Sequence, residues 1–287
     1  MDGRSEEIIG RWLTARPGVR DSVVIATKGR YPAGPGPNGL GLSRQHLSRA
    51  LDGSLRRLQV DTIDLYQLHG WDPLTGVEET LRFLDDAVRA GKINYVGLSN
   101  FTAWQIQKYV DLAEAGGLSS GPVAVQPQYN LLARAIEWEI IPACQAAGLG
   151  LLPWSPLGRG VLTGKYRSGV PADSRAASAV FAPFVEPYLD GPSDGIVDAV
   201  MIASDGLGVA PLEVALAWVR DRAGVTAPIV GARTVAQLRG CLSAEQLTLP
   251  REIREALDDV SEPEIGYPEH TWQPARPRLV NQHSHNQ

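Results

Sequence analysis

Polar side chains close almost every apolar run in this chain. Lys28 ends IATK, His69 ends LYQLH, and Ser99 and Asn100 end VGLSN; Gln126 and Tyr129 share VQPQYN, PWSPLGRG follows a fifth run, and VGAR, with Arg233, a sixth. A lysine beside a histidine in a cleft suits proton transfer coupled to carbonyl chemistry. The ammonium lowers the pKa of a neighbouring phenol, and both groups polarise a carbonyl oxygen. Each residue also has a plainer reading: a lysine that ends an apolar strand can simply snorkel to solvent. In DLYQLH, strand alternation puts Leu65, Gln67 and His69 on one face and Tyr66 and Leu68 on the other. If His69 faces a site, Tyr66 does not.

The other strand ends offer binding groups. Ser99, Asn100 and Gln126 carry the hydroxyl and amides that pair with a carboxamide, and Tyr129 offers a face for a flat ring; equally, Ser99 and Asn100 could cap the next helix and Tyr129 fill core. The stretch WSPLGRGVLTGK, from Trp154 through Ser155, Pro156, Leu157, Gly158 and Arg159 to Lys165, joins glycines that allow close backbone approach to two cations, which suits a pyrophosphate. In VGARTVAQL, Arg233 and Thr234 stand at a helix start, where a guanidinium and backbone N–H groups can hold a further phosphate. No GxGxxG follows a strand, so a Rossmann fingerprint is not supported.

The elements that must position these groups alternate. Strands are expected at 23–28, 62–69, 93–100, 123–128, 149–155 and 227–231, with segments of helical period between them, each long enough to cross back over a parallel sheet. Ser5, followed by Glu6 and Glu7, reads as the cap of a first helix, and Ser43 as the cap of another. Gly/Pro-rich stretches at 31–42 and 167–193 follow strand ends, where α/β proteins place functional loops. The segment 266–287 is Pro-rich and polar, has little to bury, and reads as a loosely ordered tail; its His283 and His285 are assigned no metal.

Bulk properties narrow the function. A formal net charge of -5, with no block of Lys or Arg, argues against a nucleic-acid partner. Cys144 and Cys241 are the only cysteines, which suggests neither a disulfide framework nor a zinc site. No run approaches the roughly 18 apolar residues of a membrane span, so no membrane partner is expected and a cytoplasmic location is the default.

Taken together and in this order, ATKG, DTIDLYQLH, INYVGLSNF, VQPQYNLL, LLPWSPLGRGVLTGKY and PIVGARTVAQL resemble the aldo-keto reductase superfamily. The resemblance covers about residues 5–260 and implies a TIM (β/α)8 barrel over 1–265 that binds NADPH without a Rossmann domain and reduces aldehydes or ketones. By this similarity Lys28 and His69 are catalytic, and Ser99, Asn100 and Gln126 hold the nicotinamide carboxamide. Tyr129 stacks on the nicotinamide ring. The segment Trp154 to Arg159, with Lys165 and Arg175, straps the pyrophosphate, and Gly231, Arg233 and Gln237 take the adenosine 2'-phosphate end. Where the family often carries an acidic residue and an Asn near the adenine, this chain has Gly240 and Cys241.

The resemblance also implies that the chain lacks the first two strands and first helix of the barrel, together with the family's catalytic Asp and Tyr. On that expectation the native product starts upstream and the activity of the chain as given is much reduced. Tyr31, in the loop after Lys28, offers a phenol without the preorganisation that catalysis needs. The competing expectation is a non-catalytic NADPH-binding protein that regulates a partner, since some relatives in the family associate with ion channels. The substrate expected of the enzyme is a small carbonyl compound.

Overall fold

A computed structural model describes residues 3–264, apart from 35, 37, 119 and 190. The expected tail, 266–287, lies outside the described residues. The chain divides into two compact units, residues 1–126 with 142–150, and residues 127–141 with 151–287.

In the first unit, α1 (Arg4–Thr14) precedes β1 (Ala26–Gly29), α2 (Arg44–Leu58), β2 (Ile63–Leu68), α3 (Val77–Arg89), β3 (Ile93–Ser99), α4 (Ala103–Ala115) and β4 (Pro122–Gln126). These strands pair in parallel, each with the next, in a register that sets Lys28 beside Gln67, Gln67 beside Gly97, and Ser99 beside Gln126. With β5 (Gly150–Leu151) the sheet order is β1-β2-β3-β4-β5, open rather than closed among the described residues. That sequential order is the one a βα barrel requires.

Helix faces follow the apolar period. Leu47, Leu51 and Leu58 of α2 and Leu81 and Leu84 of α3 are all buried. Each buried side chain of this size contributes about 1.5–3 kcal/mol. The Ser43 hydroxyl caps α2 by accepting the His46 N–H. Ser5 is not a cap: α1 begins at Arg4, and Gly3, at φ 76°, occupies the N-cap position. Gly10 of α1 lies against α2, where a Cβ would come 2.3 Å from the Arg57 carbonyl oxygen, so only glycine allows this approach.

Several expected strands are shorter than the apolar runs that suggest them. β1 starts at Ala26, the Ile25 N–H being taken by the Asp64 carboxylate at 2.7 Å. β4 stops at Gln126, where Pro127 has no N–H for a ladder. The expected strands 149–155 and 227–231 are cut by Pro153 and Pro228. What remains is β5 and, within the second unit, parallel bridges from Leu151 to Val225 and from Trp154 to Ile229.

The second unit holds α6 (Ala182–Val185), α7 (Pro192–Leu207), α8 (Pro211–Arg220), α9 (Val235–Ser243) and α10 (Arg251–Val260), while α5 (Ile140–Ala146) is divided between the two sets of residues. Its core encloses charge. Arg222 donates to both Asp258 oxygens at 2.8 and 2.9 Å, Trp218 Nε1 donates to Asp258 at 2.9 Å, and Arg134 grips Glu137 through Nε and a terminal nitrogen at 2.8 and 3.0 Å. Among the described residues no single helix is long and apolar enough to cross a membrane. Removing one member of the buried charge set strands the others away from water. Asp258→Ala is expected to cost about 3–5 kcal/mol, measured as a lowered denaturation midpoint followed by Trp fluorescence. A loss below about 1 kcal/mol, the range of exposed pairs, would show that the network is solvated.

Candidate active site

β1 and β2 deliver Lys28 and His69 from adjacent strands. Lys28 is partly buried with no carboxylate partner among the described residues, and burial lowers its pKa from the usual lysine value. His69 extends the β1–β2 pairing through its N–H to the Gly29 carbonyl at 2.9 Å. Burial first, then the charges of Lys28 and Arg30, push the His69 imidazole down to about 4. His69 is therefore neutral at physiological pH and presents one N–H donor and one bare nitrogen. Tyr66 points the other way, as alternation requires. It is fully buried, its hydroxyl lies 2.2 Å from where a Gly29 Cβ would stand, and no partner reaches that hydroxyl among the described residues.

Ser99, Asn100 and Gln126 form one hydrogen-bonded group with His69. The Asn100 amide donates to the His69 carbonyl at 3.2 Å and to Ser99 Oγ at 3.1 Å, and Ser99 Oγ donates to the Gln126 carbonyl at 3.0 Å. Asn100 stands at φ 60°, a conformation Asn tolerates. Neither Ser99 nor Asn100 caps α4. Thr102 is its N-cap, with an N–H that donates to the Gln105 side chain at 2.9 Å. Gln126 Nε2 donates to Gln67 Oε1 at 3.2 Å, and Gln67 Nε2 is a buried donor with no acceptor among the described residues. Alternation puts Gln67 on the His69 face; its reach across β3 is not legible from the sequence.

Leu42, ahead of α2, is tied to the loop after β2 by Asp72, which the sequence does not single out. Its carboxylate accepts the Leu42 N–H and the Thr75 hydroxyl, each at 2.7 Å, and the Leu74 N–H at 3.0 Å. Tyr31 packs its ring edge-on against His69, centroids 4.5 Å apart, and the Arg30 guanidinium lies 5.4 Å from the Tyr31 centroid. The sequence signal for Arg30 is its place two residues beyond Lys28, on the same alternation.

In the second unit, Tyr129 does not offer a face for stacking. It is fully buried, its ring against Trp218, and its hydroxyl donates to Glu137 at 2.6 Å while accepting from Arg222 at 3.1 Å. Trp154 is half-buried, with the Arg159 guanidinium 5.3 Å from its centroid. The segment after it is a tight loop. Ser155, Gly158, Arg159 and Gly160 all have positive φ, at 57°, 53°, 59° and 95°. Pro156 and Gly158 are buried and Leu157 is half-buried. The backbone amides are spent inside the loop: Gly158 and Gly160 donate to the Ser155 and Leu157 carbonyls, each at 2.9 Å, and Arg159 donates to Ser155 Oγ at 3.0 Å.

The cations remain. Lys165 Nζ lies 2.7 Å from where a Gly160 Cβ would stand, and Arg159 Nε is a buried donor with no acceptor among the described residues. A buried donor of this kind costs about 1–3 kcal/mol until an acceptor reaches it. The loop therefore fits an anionic group of the diphosphate type. Arg175 is exposed. Arg233 donates to the Asp173 carbonyl at 2.8 Å, and its N–H donates to Gln237 Oε1 at 2.8 Å, beside the exposed Gly231. Among the described residues no group of three or more His, Cys, Asp or Glu could hold a metal ion.

Comparison with known proteins shows the family. The model of the Aldo/keto reductase family matches residues 1–262. The chain belongs to the aldo-keto reductase family. It is 38% identical over 265 residues to "Uncharacterized oxidoreductase YrpG" of Bacillus subtilis, an alignment covering 90% of this chain and 78% of that protein. It is 39% identical over 240 residues to "Probable voltage-gated potassium channel subunit beta" of Oryza sativa subsp. japonica, covering 80% and 70%. It is 33% identical over 285 residues to "Versiconal hemiacetal acetate reductase" of Aspergillus parasiticus, covering 93% and 81%. The aldo-keto reductase fold is a TIM barrel, into which the sequential parallel strands of this chain fit, and the chain is an oxidoreductase of that family.

The electrostatics of this aldo-keto reductase can be measured at His69. Its folded pKa lies below the unfolded value near 6.5, so its contribution to stability is present above that pH and is lost as pH falls toward 4. The imidazole NMR titration of His69 is expected to have its midpoint near 4. Arg30→Gln removes a neighbouring positive charge and should raise that midpoint; an unperturbed midpoint in the wild-type protein would contradict the burial described above.

Proposed function

We propose that this chain is an NADPH-linked reductase of aldehyde or ketone carbonyls. The observation that carries the reading is the neutral His69, in one hydrogen-bonded group with Asn100, Ser99 and Gln126, beside a partly buried Lys28 that has no carboxylate partner among the described residues. A neutral imidazole donates an N–H to a carbonyl oxygen without itself adding charge, and Lys28 stabilises the negative charge that grows on that oxygen. NADPH, when bound, supplies the hydride.

In the first unit, Ser99, Asn100 and Gln126 would orient the carboxamide. In the second unit, taken by itself, Arg159 and Lys165 are the cations that suit a diphosphate, and Trp154 offers a half-buried ring. Arg233 would serve the 2'-phosphate, for which it must exchange its contact with Asp173. A cytoplasmic location and a small-molecule carbonyl substrate belong to the same reading. The second reading, a regulatory NADPH-binding protein, is favoured by the similarity to the Oryza sativa protein named as a probable voltage-gated potassium channel subunit beta.

Titration with NADPH, followed by Trp fluorescence, and consumption of NADPH with a panel of aldehydes test the two together. The reductase reading expects turnover that falls about 10²–10⁴-fold in Lys28→Met and NADPH binding weakened about ten-fold or more in Arg159→Ala. Tight NADPH binding with no turnover on any aldehyde would sink it in favour of the regulatory reading. Absence of NADPH binding would sink both.

A further inference from the structure

The guanidinium of Arg30 has no place in the reaction described above. Arg30 follows β1 and lies across the start of the loop after β2: a Cβ on Gly70 would stand 3.5 Å from Arg30 Cδ and Nε. Its Nε donates to the Trp71 carbonyl at 3.2 Å. The terminal nitrogens have no acceptor among the described residues. The nearby carboxylate, Asp72, accepts from the Leu42 and Leu74 amides and the Thr75 hydroxyl, and it attracts Arg30 through space without an ion pair to it. Arg30 is also held at φ 143°, a conformation an L side chain rarely adopts. Strain of this kind persists where the surrounding structure enforces it, and it concentrates at ligand sites.

The setting identifies the ligand chemistry. Tyr31, packed between Arg30 and His69, and the half-buried Trp71 supply aromatic surface beside the guanidinium. Lys28 adds a second cation without a carboxylate partner among the described residues. Asp72 attracts the Arg30 charge through space, but the Trp71 carbonyl takes only one donor, and the terminal nitrogens of the fork keep no hydrogen-bond acceptor among the described residues.

We propose that Arg30 is a specificity-determining residue, and that this chain prefers carbonyl substrates that carry an oxyanion, carboxylate or phosphate, which the Arg30 fork binds while the carbonyl faces His69. The proposal names the substrate class of the reductase and so rests on that reading.

Matched aromatic aldehydes test it: para-formylbenzoate and para-formylphenyl phosphate against the uncharged para-formylbenzamide, each with NADPH. The wild-type protein is expected to favour at least one anionic aldehyde over the amide by about ten-fold or more in kcat/KM, the effect of a charge-assisted hydrogen bond. Which of the two it favours distinguishes carboxylate from phosphate. In Arg30→Met that ratio should fall close to one, and Arg30→Lys should restore part of it. A wild-type ratio of one or less, or a ratio unchanged in Arg30→Met, overturns the proposal.

If no aldehyde is reduced, it is the reductase reading that fails, and the anion site is decided by binding alone. Para-(hydroxymethyl)benzoate, para-(hydroxymethyl)phenyl phosphate and para-(hydroxymethyl)benzamide are then titrated against the His69 imidazole resonances. Tighter binding of an anion, lost in Arg30→Met, supports the Arg30 site, and equal binding of all three overturns it.

Discussion

Two polar side chains of the first unit, Gln67 and Gln126, meet across β3 because Gly97 has no side chain. A Cβ there would stand 2.9 Å from Gln67 Cγ and 3.2 Å from Leu65 Cδ1. With glycine, the Gln67 side chain lies over β3 and accepts the Gln126 amide from β4, two strands away. That bond orients the Gln126 side chain. Separately, the Gln126 backbone carbonyl receives Ser99 Oγ; Ser99 Oγ in turn accepts from Asn100, which also donates to the His69 carbonyl. Gly97 thus has a packing reason beyond turn geometry. Glycine in a strand normally weakens it, and here it marks a close approach.

The two units treat buried charge in opposite ways. In the second, Arg134, Arg222, Glu137 and Asp258 satisfy one another, and Trp218, Tyr129 and Ser261 take up remaining donors and acceptors. Such a set is costly to break and suits a fixed core. In the first unit, Lys28 and Arg30 lie near a neutral imidazole with no carboxylate paired to either among the described residues. Positive charge left unanswered in a partly buried setting is unfavourable until a ligand supplies an anion or a developing oxyanion. The paired set suits stability, and the proposed reductase chemistry draws on the other.

Much of this is legible in the sequence, because the parallel βα order follows from short apolar runs separated by helical periods. Lys28, His69, Ser99, Asn100 and Gln126 stand out as polar ends of apolar strands. Proline shortens what hydrophobicity alone extends, at Pro127, Pro153 and Pro228. The first helix cap is misleading in sequence because Ser5 has the right chemistry but Gly3 has the right backbone. The motif around Tyr129 points to ring stacking. Its burial depends on Trp218, Arg222 and Glu137, distant or irregularly spaced residues whose convergence no local pattern encodes. Asp72 escapes notice for the same reason: its partners Leu42 and Thr75 lie on opposite sides of it in sequence.

The depressed basicity of His69 limits the part it can take. An imidazole with its pKa near 4 is almost never an imidazolium at neutral pH, so it is a poor source of the proton that a reduced carbonyl oxygen must gain. It remains an N–H donor over the whole neutral range, and that suits orientation and polarisation of a carbonyl. Lys28, whose own pKa burial lowers, is a stronger acid than an exposed lysine. Lys28, which together with Arg30 helps keep His69 neutral, also favours negative charge on a bound oxygen. Protonation of the histidine and stabilisation of an oxyanion are therefore opposed by construction: the field that suppresses the first promotes the second.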